Sequence, residues 1–97
     1  MAQMKKALVS CRTGMGSSMM LKIKVEQVCA KNDFPLEVEH DVMDAIPNFK
    51  GDLLITMSDL ADDIRAEGYP FYIIGINNLM DKQEIEDKIR EFFASQA

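Results

Sequence analysis

Cys11 is the residue of this chain whose surroundings best suit demanding chemistry. It follows a short apolar segment, and residues 11–18 read Cys-Arg-Thr-Gly-Met-Gly-Ser-Ser. A helix is expected to begin close behind it. The free N–H groups of a helix N-terminus favour a thiolate over a thiol and can also bind a phosphate. Gly14 and Gly16 let the backbone curl around such a group. The pattern therefore predicts a phosphoryl group carried on the sulfur of Cys11.

The other side chains of this predicted phosphate-binding loop surround the nucleophile with polar and apolar groups. Thr13, Ser17 and Ser18 offer hydroxyls for phosphate oxygens, and Ser17 or Ser18 is alternatively the N-cap of the helix. Arg12 suits a charge-assisted contact with phosphate or with a partner's carboxylate, and a solvated loop arginine is the alternative. Met15 is flexible and apolar, which favours a place on the rim of a docking surface.

Two further residues of reactive type are interpreted mainly as structural. Cys29 lies on the apolar stripe of the first predicted helix, which favours a core position. His40 falls near the carboxyl end of the second predicted strand and is a candidate site residue, although a structural role is favoured. Two cysteines with no close spacing and a single histidine fit neither a zinc site nor a disulfide framework. We expect no metal and no cofactor.

Composition predicts one small domain over residues 1–97. Hydrophobic residues make up 47% of the chain and charged residues 28%, as in ordinary globular proteins. The formal net charge of -5 and the lack of a basic stripe argue against binding to nucleic acid or to an anionic membrane. No segment suits a signal sequence or a transmembrane helix, and reduced thiols fit the cytoplasm. We therefore expect a cytoplasmic protein.

Apolar segments alternate with segments of helical spacing along the chain. The predicted strands are Lys6–Ser10, Leu36–Val42, Asp52–Thr56 and Phe71–Ile76. Helical spacing is clearest after the first strand and after the last, and Ser58 opens a shorter helix that stops at Gly68. About one helical turn is expected between Met43 and Lys50.

This alternation predicts an α/β fold with three layers, αβα. The expected four-stranded parallel sheet has the order 2-1-3-4, which is flavodoxin-like or phosphatase-like. In such sheets ligands bind at the carboxyl ends of the strands, where the strand order reverses. The loop at Cys11 follows the first strand, which is central in this order. Topology and loop chemistry thus indicate the same place.

Residues 11–18 resemble the active-site loop of the IIB components of the bacterial phosphoenolpyruvate-dependent sugar phosphotransferase system. The similarity is greatest to the L-ascorbate-type IIB proteins, and galactitol-type IIB proteins are wider relatives. Residues 17–27, 57–62 and 75–79 are also similar to the ascorbate-type proteins, so that the likeness covers nearly the whole chain. The sequence departs from the family at Arg12, where a glycine is usual.

The resemblance implies a phosphoryl carrier, a component of a phosphotransferase. In that family a cysteine accepts a phosphoryl group from a phosphohistidine on a IIA protein and passes it to a sugar bound in the membrane transporter IIC. By this resemblance Cys11 is the nucleophile. The backbone amides from Thr13 to Ser18 hold the phosphate oxygens, together with the hydroxyls of Thr13, Ser17 and Ser18. The implied substrate is L-ascorbate, and a monomer that visits the inner face of the membrane is expected.

Two other classes of protein stay open on the residues alone. Low-molecular-weight tyrosine phosphatases and arsenate reductases also place a thiolate in a phosphate loop after the first strand. The phosphatase pattern, however, has an arginine six residues after the cysteine, where this chain has Ser17. The second alternative is a non-catalytic regulatory module that senses an anion at this loop.

Overall fold

A computed structural model of the chain describes residues 4–10, 15–41, 43–78 and 80–96. The strands are β1 (Lys5–Val9), β2 (Leu36–His40), β3 (Leu53–Met57) and β4 (Tyr72–Ile76). The α-helices are α1 (Met15–Asn32), α2 (Ser58–Ala66) and α3 (Lys82–Gln96), and a 3₁₀ helix spans Met43–Asn48. None of the described helices has the length and apolar character that a membrane span requires.

The strands form one parallel sheet in the order β2-β1-β3-β4, so the predicted α/β fold and strand order are confirmed. β1 lies between its two neighbours, and Val9 is in register with His40 on one side and with Ile55 on the other. Strands that follow one another along the chain are parallel, so each such pair is joined through a segment that crosses a face of the sheet.

Both faces of the sheet are covered, because strand residues alternate between two separate cores. Val9, Ile55 and Ile74 pack with the apolar stripes of α1 and α3. Leu8 and Leu54 pack on the other face with Leu60, Ala61 and Ile64 of α2 and Ile46 of the 3₁₀ helix. This burial explains why β3 is apolar without alternation: Leu53, Leu54 and Ile55 are all fully buried.

The strand boundaries differ from the sequence prediction by one or two residues. β1 and β3 are each displaced by one position, and β2 ends at His40, although the prediction continued to Val42, which lies outside the described residues. Backbone pairing, which side-chain type does not reveal, sets these ends. Beyond β1, for example, the amide of Ser10 still donates to the carbonyl of Ile55 at 3.1 Å.

α2 ends just before Gly68, as the sequence predicts. Gly68 has a φ of +80°, the left-handed conformation that glycine adopts without strain, and its amide donates to the carbonyl of Arg65 at 3.1 Å. The side chain of Arg65 turns back to β4, where Nη2 donates to the carbonyl of Ile73 at 2.9 Å. Lys88 of α3 donates in the same way to the carbonyl of Gly75.

Gly75 allows α2 to lie directly against β4. A Cβ atom added at Gly75 would lie 2.7 Å from the Cβ of Ala61 and 3.0 Å from the Cα of Ser58. The backbone of the first turn of α2 therefore lies closer to the sheet here than it could if residue 75 carried a side chain. Since α2 begins directly after β3, this contact fixes the helix start at the carboxyl edge of the sheet.

We predict that Gly75→Ala lowers the free energy of unfolding by about 1–3 kcal/mol, because the new methyl group forces α2 away from the sheet. Denaturant unfolding measures the change. In the double variant Gly75→Ala/Ala61→Gly the shortest contact is absent, so the combined loss should be smaller than the sum of the single losses. A Gly75→Ala protein as stable as the wild type would contradict the close approach.

Candidate phosphoryl-transfer site

The carboxyl ends of the strands form the edge at which the predicted phosphate-binding loop begins. β1 ends at Val9 and α1 begins at Met15, so residues 10–14 join the end of a central strand to the start of a helix. Cys11, Arg12, Thr13 and Gly14 lie outside the described residues. The site is therefore defined here by the elements that flank the loop.

α1 begins earlier than the sequence predicted. Its first turn consists of Met15, Gly16, Ser17 and Ser18, so the alternative in which Ser17 or Ser18 is the N-cap is wrong. α1 therefore starts closer to the end of β1 than the glycines at positions 14 and 16 suggest. The amides of this first turn have no partner within the helix, and no acidic residue occurs in it. An anion placed at this end therefore meets free N–H groups and the positive end of the helix dipole without a competing carboxylate.

Buried polar atoms without hydrogen-bond partners occur at the same edge. Among the described residues they are the Ser10 hydroxyl, the Thr56 hydroxyl and Nδ1 of His40. Ser10 follows β1, Thr56 lies near the end of β3, and His40 ends β2, so the three belong to neighbouring strands. His40, the weaker sequence candidate, is thus half-buried next to Val9 at the edge of the predicted site. The two hydroxyls were not among the predicted site residues.

Glu84 of α3 holds the backbone that follows β4 at this edge. Its Oε2 accepts hydrogen bonds from the amide of Asn77 at 2.7 Å and from Lys88 at 2.7 Å, and Oε1 accepts from the amide of Asn78 at 3.0 Å. Asp81 caps the helix by accepting from the amide of Glu84 at 3.2 Å. Asp81 and Glu84 have the sequence spacing of a capping box, but only half of it forms, since the Glu84 carboxylate turns to the amides of residues 77 and 78.

This arrangement changes the ionisation of Glu84. Burial acts to raise its pKa, but the hydrogen bonds from Lys88, Asn77 and Asn78 and the charge of Lys88 outweigh burial and lower the pKa to about 2. The side chain is only 14% exposed. The carboxylate is therefore charged at neutral pH, and its hydrogen bonds with Lys88, Asn77 and Asn78 stabilise the charged form relative to the protonated form.

Cys29 is a core residue, as the sequence predicted. Its side chain packs among the apolar residues of α1, α3 and the sheet. Burial, with a smaller contribution from the charge of Glu26, raises the pKa of the Cys29 thiol to about 11. This thiol is consequently neutral and poorly reactive at neutral pH.

Apolar side chains are exposed on the first turns of α1, next to the loop. Met19 is 43% exposed, and Met20 and Ile23 are each 44% exposed, whereas Leu21 and Val25 of the same helix are fully buried. From the sequence, only Met15 is predicted to lie on a docking rim. The exposed face of α1 extends that rim by one further turn. A signal for this is present in the sequence, because Ile23 is apolar but lies outside the apolar stripe of the helix.

Comparison with known families identifies similar proteins along most of the chain. Residues 6–91 match the family model described as the lactose/cellobiose-specific IIB subunit of the phosphotransferase system. An ascorbate-specific EIIB component of Mycoplasma pneumoniae is 30% identical over 84 residues, which cover 84% of this chain and 87% of that protein. An ascorbate-specific EIIB component of Escherichia coli O157:H7 is 28% identical over 90 residues, or 87% of this chain and 84% of that protein.

Solved structures show the same fold. The lactose-specific IIB domain of Streptococcus pneumoniae superposes with a TM-score of 0.66 at 15% identity, covering 94% of this chain and 99% of that domain. An enzyme IIB subunit of Escherichia coli K12 superposes with a TM-score of 0.54 at 20% identity, covering 99% of this chain and 98% of that subunit. The αβα architecture predicted from the sequence is therefore shared with IIB domains.

We predict that iodoacetamide at pH 7 leaves Cys29 unmodified under conditions in which Cys11 reacts fully. The raised pKa and the burial of Cys29 both suppress its thiolate, whereas a thiolate at Cys11 is favoured by the start of α1. Peptide mass mapping after timed quenching measures the two rates. Equal rates in the folded protein would contradict the activated thiolate at Cys11.

We predict that Glu84→Gln lowers the free energy of unfolding by about 1–2 kcal/mol at pH 7, because two backbone amides lose a charged acceptor. The folded-state pKa of Glu84 is depressed, so its contribution is complete above pH 4.5 and is lost as the pH falls towards about 2. Denaturant unfolding of both proteins across this range should show the difference shrinking. Glu91→Gln, which changes an exposed carboxylate of the same helix, is the control with little effect at any pH.

Proposed function

Because the chain belongs to the lactose/cellobiose-specific IIB family of the phosphotransferase system, we propose that Cys11 carries a phosphoryl group between a IIA protein and a sugar bound by a IIC transporter. The observation that carries the proposal is the start of α1 at Met15, four positions after Cys11 in the sequence and close to the carboxyl end of a central strand. A phosphoryl group bound at this helix start would have its negative charge stabilised by free amides and the helix dipole.

The proposed transfer consists of two in-line displacements. The thiolate of Cys11 attacks the phosphorus of a phosphohistidine on IIA, so that a sulfur–phosphorus bond forms as the nitrogen–phosphorus bond breaks. A hydroxyl oxygen of the sugar then attacks the same phosphorus, so that an oxygen–phosphorus bond forms as the sulfur–phosphorus bond breaks; the hydroxyl proton passes to solvent and Cys11 leaves as a thiolate. Both steps require neutralisation of three equatorial oxygens more than covalent assistance. The amides of residues 13–18, with the hydroxyls of Thr13, Ser17 and Ser18, are assigned to this task.

Two other side chains of the loop are assigned to recognition of the phosphate or of a partner protein. Arg12 stands where the family usually has a glycine, and we assign it to a contact with the phosphate or with a carboxylate of a partner. Met15 and the exposed face of α1, formed by Met19, Met20 and Ile23, are assigned to docking. Flexible apolar side chains of this kind accommodate two different partners in turn.

The proposed substrate is L-ascorbate. This proposal is supported by the name shared by the relatives from Mycoplasma pneumoniae and Escherichia coli. Both relatives have the low sequence identity to this chain that distant members of one family have. The family description covers lactose and cellobiose subunits, so these sugars are the natural comparison in any assay. We further propose that residues 1–97 act as one IIB domain and a monomer in the cytoplasm, meeting IIC at the inner face of the membrane.

We predict that the protein gains one phosphoryl group when it is incubated with phosphoenolpyruvate, the general phosphotransfer proteins and an ascorbate-type IIA. Intact-mass analysis should show the increment in the wild type and in Cys29→Ser, and no increment in Cys11→Ser. Addition of membranes with the ascorbate IIC and labelled L-ascorbate should then move the label into a sugar phosphate.

The controls separate the parts of this proposal. Transfer to lactose or cellobiose in place of L-ascorbate would retain the carrier and reject the substrate. Release of phosphate from an aryl ester by the protein alone, without an increment from any IIA, would assign the chain to phosphatase chemistry. An increment that persists in Cys11→Ser would reject Cys11 as the carrier.

A further inference from the structure

An apolar groove lies between α2 and the 3₁₀ helix Met43–Asn48, away from the loop and from α1. Its volume is about 520 Å³. Ile46 and Pro47 of the 3₁₀ helix line one wall, and Leu60 and Ile64 of α2 line the other. Pro47 is exposed, whereas the three other apolar residues are buried and form the floor. The groove therefore offers an apolar surface large enough for side chains of another molecule.

The groove is already formed in the free chain. Tyr69, which follows α2, also lines it, and its ring stacks on Phe71 with the centroids 5.1 Å apart and 12° between the planes. Phe71 is buried and contacts the ring of Phe49 edge-on, with the centroids 5.3 Å apart. These contacts hold the end of the groove in place, so little ordering is needed when a partner binds.

Two unpaired carboxylates accompany the apolar walls. Asp63 and Glu67 line the groove, are exposed and lie one helical turn apart. Neither has an ion-pair partner among the residues that the structure describes. Arg65, the single cation of α2, is bound instead by Asp62 at 3.1 Å and by the carbonyl of Ile73 at 2.9 Å. The negative charge beside the groove is thus left without a counter-charge.

These carboxylates stand where the fold itself disfavours them. Like charges four residues apart on a helix repel each other. Asp63 also lies in the last turn of α2, and Glu67 is its C-cap, so both are at the negative end of the helix dipole. Neither residue stabilises the free chain through its charge. A cationic group placed in the groove relieves both kinds of repulsion.

The groove begins beside the edge of the sheet that the proposed function turns towards IIC. Leu60 lies in the first turn of α2, which starts directly after β3 at the carboxyl edge, and the helix advances about 10 Å from Leu60 to Glu67. Cytoplasmic segments of membrane proteins are rich in Lys and Arg. The lipid surface around them is negative and repels acidic side chains. An acidic groove at this place is therefore complementary to the transporter and not to the lipid.

We propose that the groove between α2 and the 3₁₀ helix binds a cationic segment on the cytoplasmic face of IIC. This inference rests on the proposed function. An apolar side chain of the segment fills the space between the two helices, and its Lys or Arg side chains pair with Asp63 and Glu67. Because α1 packs on the opposite face of the sheet, the segment leaves Met19, Met20 and Ile23 uncovered.

The test compares two pairs of carboxylates with the same residue types and spacing. Asp63→Asn/Glu67→Gln removes two charges at the groove, and Asp87→Asn/Glu91→Gln removes two from exposed positions of α3, on the other face of the sheet. The probe is a lipid vesicle that contains the ascorbate IIC, and co-sedimentation measures the Kd. The groove variant should bind about 5- to 20-fold more weakly, as expected for two lost ion pairs, and the α3 variant should bind like the wild type.

Salt and shape separate the two parts of the contact. The difference between the groove variant and the wild type should shrink as the salt concentration rises, because salt screens ion pairs. Pro47→Ala removes an exposed apolar wall, so it should weaken binding by about 3-fold at low and at high salt. In sugar phosphorylation, KM for the phosphorylated protein should rise by the same factors, and kcat should stay unchanged.

Two measurements exclude indirect effects. The groove variant should unfold at the same denaturant concentration as the wild type or at a higher one, because its substitutions remove a repulsion. Its rate of phosphorylation by phospho-IIA should equal that of the wild type. A slower rate with IIA, without a change in binding to the IIC vesicles, would assign the groove to IIA and overturn the inference.

The remaining outcomes distinguish this inference from the function on which it rests. Equal binding of the groove variant and the α3 variant to IIC vesicles would overturn the inference while the wild type still passes phosphate to the sugar. Binding of the wild type to vesicles of lipid alone, as tight as to IIC vesicles, would also overturn it. A wild type that accepts no phosphate from any IIA would instead overturn the proposed function.

Discussion

The structure depends on the position of β1 between two parallel neighbours with both of its faces covered. Ala7, Leu8 and Val9 are buried almost completely, which fixes β1 firmly at the centre of the fold. A parallel strand must pass its chain on at the carboxyl edge, and the next element, α1, must start close to that edge to return across the sheet. The polar loop between them is therefore anchored at one end by a dry strand and at the other by a helix of 18 residues. Rigid ends of this kind determine where a reactive group in the loop is presented.

The carboxyl edge also differs in polarity from the rest of the sheet. The cores on the two faces are apolar, whereas the strand ends bring together a serine, a threonine and the only histidine of the sequence. At the neighbouring β4 end, Glu84 binds the backbone amides that leave the sheet. The strand ends thus gather polar groups beside the apolar cores, while Cys29, within the apolar core, is kept neutral by the same burial that stabilises the fold.

Much of this arrangement was predictable from the sequence, because parallel α/β sheets have strong regularities. Continuous apolar runs such as Leu53 to Ile55 indicate strands with two covered faces, and the alternation with helices then leaves few topologies. The loop at Cys11 was recognised from residue types alone. The details that depend on tertiary contacts were missed: the early start of α1 at Met15, the turn of Glu84 towards Asn77, and the burial of Thr56. Each of these details depends on which backbone groups lie nearby in the folded chain, and the spacing of residues along the sequence does not reveal those contacts.

The exposed edge of β4 has a further consequence. Alternate carbonyls of this edge strand, those of Ile73 and Gly75, accept hydrogen bonds from the cationic side chains of Arg65 and Lys88. An unprotected strand edge is a template for pairing with a strand of another molecule, and natural sheets block it with charged side chains. Here the block comes from two different helices, one on each face of the sheet. Pairing of another strand with this edge would require both cations to leave their carbonyls, so the sheet is hindered from extending past β4 into a fibre.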